Sequence, residues 1–106
     1  MPVESNLKPI RLLLIENNPA DEQMLRQRLL EARGMRFEIE ATDRLDGGLE
    51  RVRTGRFDLV LLDLQLPDSE GIETIARLHK EAPQIPIIAV TGLEDQSIIA
   101  TAPKIT

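Results

Sequence analysis

The segment 57–71, FDLVLLDLQLPDSEG, constrains the fold of this chain more strongly than any other. Its four consecutive apolar residues at 59–62 predict a strand that is buried on both faces, as in a parallel sheet. Asp63 ends the run abruptly and so places a carboxylate at the carboxyl end of that strand, where ligands bind in open α/β sheets. Taken alone, Asp63 could equally end a strand or cap a turn, so its role depends on the rest of the chain.

Three further strands are predicted around this one. Residues 10–15, IRLLLI, form a second doubly buried run, and residues 85–90, IPIIAV, form another. Residues 36–41 alternate between polar and apolar side chains, which predicts a half-buried strand at an edge of the sheet. Apolar spacing, capping residues, glycines and prolines predict four helices between and after these strands, at 19–33, 45–54, 71–81 and 94–102.

Strands that alternate with helices predict an α/β fold with a doubly wound parallel sheet. Placing the half-polar second strand at an edge gives the strand order 2-1-3-4, with a crevice where the winding reverses between the first and third strands. Glu16, Asn17, Asp63 and Thr91 follow three of these strands. Two carboxylates and an amide oxygen suit Mg²⁺, and a carboxylate can attack phosphorus to form an acyl phosphate. Thr91 could donate a hydrogen bond to a phosphoryl oxygen.

Composition removes several other classes of function. The net charge is −5, the basic residues form no run, and Tyr and Trp are absent, which argues against nucleic-acid binding. No apolar run approaches the roughly 20 residues of a membrane span. Cysteine is absent, so the chain has neither disulfides nor a thiolate zinc site, and a cytoplasmic location is expected. No glycine-rich loop follows the first strand, which argues against nucleotide binding.

Three segments together resemble the receiver domain of bacterial two-component response regulators: LLLIENNPAD (12–21), LVLLDLQLPDSEGIETI (59–75) and IPIIAVTGLED (85–95). The resemblance implies a flavodoxin-like sheet and a signalling module rather than an enzyme. Such a module takes a phosphoryl group from a histidine kinase or a phosphotransfer protein onto Asp63, and thereby switches an output domain or a partner protein.

The resemblance also implies a set of site residues. Mg²⁺ would be held by Glu16, Asn17, Asp63 and the backbone carbonyl of Gln65, and Thr91 would be the switch residue that bonds the phosphoryl group. Asn17 departs from the family, which usually has aspartate there, so weak Mg²⁺ binding is expected.

The family lysine that follows a fifth strand has no match in this chain, and Lys104 is not expected to replace it. A pseudo-receiver that binds partners without phosphorylation therefore remains an alternative. A phosphatase with an aspartate nucleophile is disfavoured, because Gln65 stands where that class usually has its second aspartate.

The chain is expected to comprise an N-terminal extension (1–9) and a receiver-like domain (10–106) that lacks the fifth strand and fifth helix of the family. Without a fifth strand, the fourth strand (85–90) would be an exposed edge with unpaired N–H and C=O groups. The resulting expectation is either a fragment of a longer protein that is marginally stable alone, or self-association through that edge.

Overall fold

The computed structural model describes residues 8–90 and 98–101. In this part of the chain, three α-helices alternate with the strands of a main sheet, and a two-stranded hairpin follows the third strand. The helices are α1 (Pro19–Leu30), α2 (Leu45–Thr54) and α3 (Ile72–Glu81). The strands are β1 (Ile10–Ile15), β2 (Phe37–Thr42), β3 (Leu59–Asp63), β4 (Gln65–Leu66), β5 (Ser69–Glu70), β6 (Ile87–Val90) and β7 (Ile98–Thr101).

The main sheet has the order β2-β1-β3-β6-β7, and its first four strands are parallel. This confirms the predicted fold class, the order of the four parallel strands and the edge position of β2. At the end of β1, Ile15 lies opposite Thr42 on one side and Leu62 on the other. The carboxyl ends of these strands are therefore level, so the residues that follow β1 and β3 meet at one edge of the sheet.

The predicted helix at 94–102 is wrong, because residues 98–101 form strand β7 instead. β7 is antiparallel to β6, and Val90 pairs with Ile98 while Ile87 pairs with Thr101. Three of its four residues are β-branched, which favours a strand, and the backbone groups of β6 that face away from β3 offer it hydrogen-bonding partners. The predicted exposed edge at 85–90 is therefore also wrong, and self-association through that edge loses its basis.

The core lies mainly on one face of the sheet. The connection from β1 to β2 through α1 runs in one direction along the sheet, and the connections through α2 and α3 run in the opposite direction. Because such crossovers are right-handed, α1 lies on the opposite face of the sheet from α2 and α3. The core cluster accordingly joins alternate residues of the central strands to α2 and α3: Leu13, Ile15, Val60, Leu62, Leu45, Leu49, Val52, Ile75, Leu78, Ile87 and Ala89. The intervening Leu12 and Leu14 are also buried, so β1 is covered on both faces as predicted.

The segment after Asp63 is tied to the start of α2. Asp68 Oδ1 accepts the Leu45 N–H at 2.8 Å, and Oδ2 accepts the Asp46 N–H at 2.9 Å. Burial would raise the pKa of Asp68, but these two N–H groups, its own N–H and the charge of Arg44 hold it below the ordinary 3.8. Asp68 therefore caps α2, which is distant from it in sequence.

Among the described residues, no helix is long and apolar enough to cross a membrane.

Candidate functional site

An open cavity of about 210 Å³ lies at the carboxyl ends of β1 and β3. The described residues that line it come from the loop after β1, the start of α1, and the ends of β3 and β6: Glu16, Asn17, Asn18, Asp21, Asp63, Gln65 and Val90. Four of the five predicted site residues, Glu16, Asn17, Asp63 and Gln65, are thus brought together. Thr91, the fifth, lies outside the described residues.

Glu16 is the buried carboxylate of the cavity, with 6% of its surface exposed. Its backbone N–H donates to the Thr42 carbonyl at 3.0 Å, which extends the β1–β2 ladder by one bond, and its Oε1 accepts the Asn18 N–H at 3.1 Å. Burial raises the pKa of Glu16 from 4.5 to about 7. The Asn18 N–H opposes this increase, whereas hydrogen bonding to Asp63 and the charges of Asp63 and Asp21 add to it. Glu16 therefore retains its proton to a higher pH than an ordinary glutamate does.

Asp63 is the last residue of β3 and is half-buried. Its position is set on one side by its register opposite Val90, and on the other by the turn that follows. Asp63 Oδ1 accepts the Gln65 N–H at 3.0 Å, and the Leu64 N–H donates to the Val90 carbonyl at 3.3 Å. One carboxylate oxygen is thus oriented by the backbone while the side chain remains open to the cavity.

The start of α1 also lines the cavity. Asn18 caps the helix as predicted: its Oδ1 accepts the N–H groups of Ala20 and Asp21 at 2.9 and 3.2 Å. Asn17 is exposed at the mouth of the cavity. The sequence analysis did not include Asp21 among the site residues. The available signal was its place in the first turn of a helix that begins at the edge of the sheet where β1 ends.

The donor set suits a hard cation. It consists of oxygen atoms from carboxylates, an amide and the backbone, which are the ligands that Mg²⁺ takes in proteins. Three carboxylates and no Lys or Arg line the described part of the cavity, so a cation would relieve their mutual repulsion. In the part of the chain that the structure describes, no three His, Cys, Asp or Glu residues are grouped closely enough to hold a metal. A small cation here would therefore have at most two direct carboxylate ligands and would keep water molecules.

Two other titratable residues, Asp58 and His79, lie away from the cavity. Asp58, just before β3, accepts the Arg11 N–H at 2.9 Å at the opposite end of that strand. His79 is half-buried on α3, and its buried Nδ1 has no hydrogen-bond partner among the described residues. Neither residue lines the cavity.

A largely parallel α/β sheet with an acidic cavity at the carboxyl ends of its first and third strands is the arrangement of a receiver domain. The chain belongs to the response regulator receiver domain family, whose family model matches residues 12–105. It is 38% identical over 87 residues to the KDP operon transcriptional regulatory protein KdpE of Escherichia coli K12, which covers 81% of this chain and 36% of that protein.

Solved structures of receiver domains are also similar to this chain. A CheY-like response regulator receiver domain protein from Methanospirillum hungatei JF-1 is 32% identical with a TM-score of 0.64, over 83% of this chain and 70% of that one. The phosphorylated cyanobacterial phytochrome response regulator RcpA is 26% identical with a TM-score of 0.66, over the same shares of the two chains.

The chain spans about a third of the length of the curated regulators that it matches first. Receiver domains are signalling modules, generally not enzymes, that interact with histidine kinases and output domains.

Proposed function

We propose that this chain is a phosphoacceptor module and that Asp63 is the residue that receives the phosphoryl group. The observation that carries the proposal is the placement of Asp63 at the end of β3, open to an acidic cavity with Glu16 beside it. The solved structure of a phosphorylated relative with 26% identity supports the assignment of this chemistry to the fold.

The two oxygens of Asp63 have different surroundings, since Oδ1 accepts the Gln65 N–H. In the proposed reaction, the other oxygen, Oδ2, forms the new bond to phosphorus. That bond forms as the bond between phosphorus and a ring nitrogen of the donor histidine breaks, and the electron pair stays on the histidine, which then takes up a proton. The product is an acyl phosphate on Asp63, and the donor is a histidine kinase or a phosphotransfer protein.

Mg²⁺ would be held by the carboxylates of Glu16 and Asp63, the Asn17 amide oxygen and the Gln65 carbonyl. Bound there, it supplies positive charge to the phosphoryl oxygens, and phosphoryl transfer depends mainly on such neutralisation and on positioning. Glu16 would have to be ionised to act as such a ligand. The Thr91 hydroxyl would donate a hydrogen bond to a phosphoryl oxygen.

A second candidate is a pseudo-receiver that binds its partner without phosphorylation. The specific observation that favours it is Asn17, a neutral amide at the mouth of the cavity where the family usually has a carboxylate. In that case the acidic cavity would remain a structural feature, and the surface of the domain would carry the function.

The test compares the wild type with Asp63→Asn and Asp58→Asn. Asp58 lies just before the same strand, outside the cavity, and its asparagine can still accept the Arg11 N–H, so it is a matched control. Each protein is treated with Mg²⁺ and either a small phosphodonor, read by intact mass, or beryllofluoride, read by amide NMR.

The wild type and Asp58→Asn should gain one phosphoryl group and show the same shifted amides around the cavity. Asp63→Asn should show neither change. An equal response from the wild type and Asp63→Asn would remove Asp63 from the mechanism and leave the pseudo-receiver.

A further inference from the structure

Asp21 lines the same cavity as Glu16, Asn17 and Asp63, although it lies on a helix rather than at a strand end. It is half-buried in the first turn of α1, and its own N–H is held by the Asn18 cap at 3.2 Å. No Lys or Arg of the described chain lines this cavity beside it. Asp21 therefore belongs to the electrostatic environment of the site.

The neighbouring acid shows that this placement is specific. Glu22 lies in the same first turn but forms an ion pair with Arg26, with Nε 3.1 Å from Oε2, and does not line the cavity. Within the described part of the chain, Asp21 has no ion-pair partner. The positive end of the α1 dipole favours both acids, so a purely structural role in capping the helix would not distinguish them. Of the two, only Asp21 lines the cavity, as its third carboxyl group beside Glu16 and Asp63.

A water-mediated contact is the arrangement that the geometry allows. No three acidic residues of the described chain are close enough to share a metal directly. Mg²⁺ retains several of its water molecules in proteins and usually takes only one or two carboxylates directly. A carboxylate at the cavity wall can accept a hydrogen bond from one of those water molecules and still act on the cation through its charge.

We propose that Asp21 supplies, through a bound water molecule, the negative charge toward Mg²⁺ that the neutral Asn17 amide lacks. The inference rests on the proposed Mg²⁺ site at Asp63. Asp21 then helps to position the cation through a water molecule, which is a role beyond that of an acid in the first turn of a helix. The site then has three carboxylates, Glu16, Asp63 and Asp21. A site with aspartate at position 17 and no acid at position 21 would have the same number.

The experiment is a calorimetric Mg²⁺ titration at constant ionic strength, with amide NMR of the cavity residues as a second readout. The variants are Asp21→Asn, the matched control Glu22→Gln, Asp63→Asn, and Asn17→Asp with and without Asp21→Asn. Asp21→Asn should weaken Mg²⁺ binding by roughly tenfold, whereas Glu22→Gln should leave it unchanged. In the Asn17→Asp background, the loss caused by Asp21→Asn should be smaller, since the charge is already supplied.

The outcomes separate this inference from the proposed function. If Asp63→Asn weakens Mg²⁺ binding while Asp21→Asn binds it as Glu22→Gln does, the inference about Asp21 is overturned and the proposed function stands. If Asp63→Asn also leaves Mg²⁺ binding unchanged, the cation does not bind at this site and both ideas fail. An equal effect of Asp21→Asn in both backgrounds at position 17 would likewise overturn the compensation.

Discussion

Replacing Glu16 by glutamine should stabilise the metal-free protein above neutral pH and leave its stability almost unchanged in mild acid. In the folded state burial raises the pKa of Glu16 to about 7, against 4.5 for an ordinary glutamate. The folded protein therefore holds a proton on Glu16 more tightly than the unfolded chain does. This contribution to stability is complete below pH 4.5 and is lost as the pH rises through about 7.

The size of the effect follows from the same two values. The interval from 4.5 to about 7 corresponds to an upper limit of about 3 kcal/mol, at roughly 1.4 kcal/mol for each pH unit. Glutamine resembles the protonated acid: its oxygen can still accept the Asn18 N–H, and its amide can donate to Asp63. Glu16→Gln should therefore exceed the wild type by about 2 to 3 kcal/mol near pH 8 and by less than about 1 kcal/mol near pH 5.

Urea unfolding in the presence of a chelator measures this difference. The chain has no Trp or Tyr, so the transition should be followed by far-ultraviolet circular dichroism rather than by intrinsic fluorescence. The difference between wild type and variant at each pH cancels other groups that titrate in this range. Glu22→Gln is the control, since Glu22 lies outside the cavity and forms an ion pair with Arg26.

Two results would refute this reasoning. The first is a difference between Glu16→Gln and the wild type that stays constant from about pH 5 to pH 8, which would mean that Glu16 does not retain a proton in the folded state. The second is an unchanged pH dependence in Asp63→Asn. Removing the Asp63 charge should lower the pKa of Glu16 and so reduce the loss of stability above neutral pH.

Two further predictions concern the elements that support the site. Asp68→Ala should destabilise the protein by about 1 kcal/mol, because two N–H groups at the start of α2 lose their acceptor. In urea unfolding, the higher stability of the wild type should persist above pH 3.8 and disappear below it. A difference in stability that stays constant with pH would contradict the capping role. Gly48→Ala should cost about 1 kcal/mol, because the new Cβ would lie 2.4 Å from Ile15 Cδ1 in the core, a clash that outweighs the better helix propensity of alanine. In an Ile15→Val background, which lacks that methyl group, Gly48→Ala should become neutral or stabilising, and an equal cost in both backgrounds would show that the clash is not the cause.

The sequence by itself determined the parallel part of the sheet and most of the site. The apolar runs in β1, β3 and β6 and the alternation in β2 predicted which strands are central and which lies at the edge, because burial on two faces or one leaves a direct pattern in the side chains. Asp63, Glu16 and Asn17 were found for the same reason: each interrupts or follows an apolar run, and the carboxyl ends of parallel strands meet at one edge.

The tertiary structure decided the features that depend on contacts between distant segments. Residues 98–101 form a strand rather than a helix because they pair with the side of β6 that faces away from β3. The local sequence pattern does not show this pairing, since it joins separate segments of the chain. Asp68 caps α2 only because the turn after β3 passes the start of that helix.

The electrostatics of the cavity were likewise decided by the fold. Asp21 reaches the cavity, and Glu16 keeps a proton near neutral pH, because folding places three carboxylates together, with one of them buried. Burial and the proximity of like charges are properties of the assembled chain, since they come from residues that are neighbours in space but not in sequence.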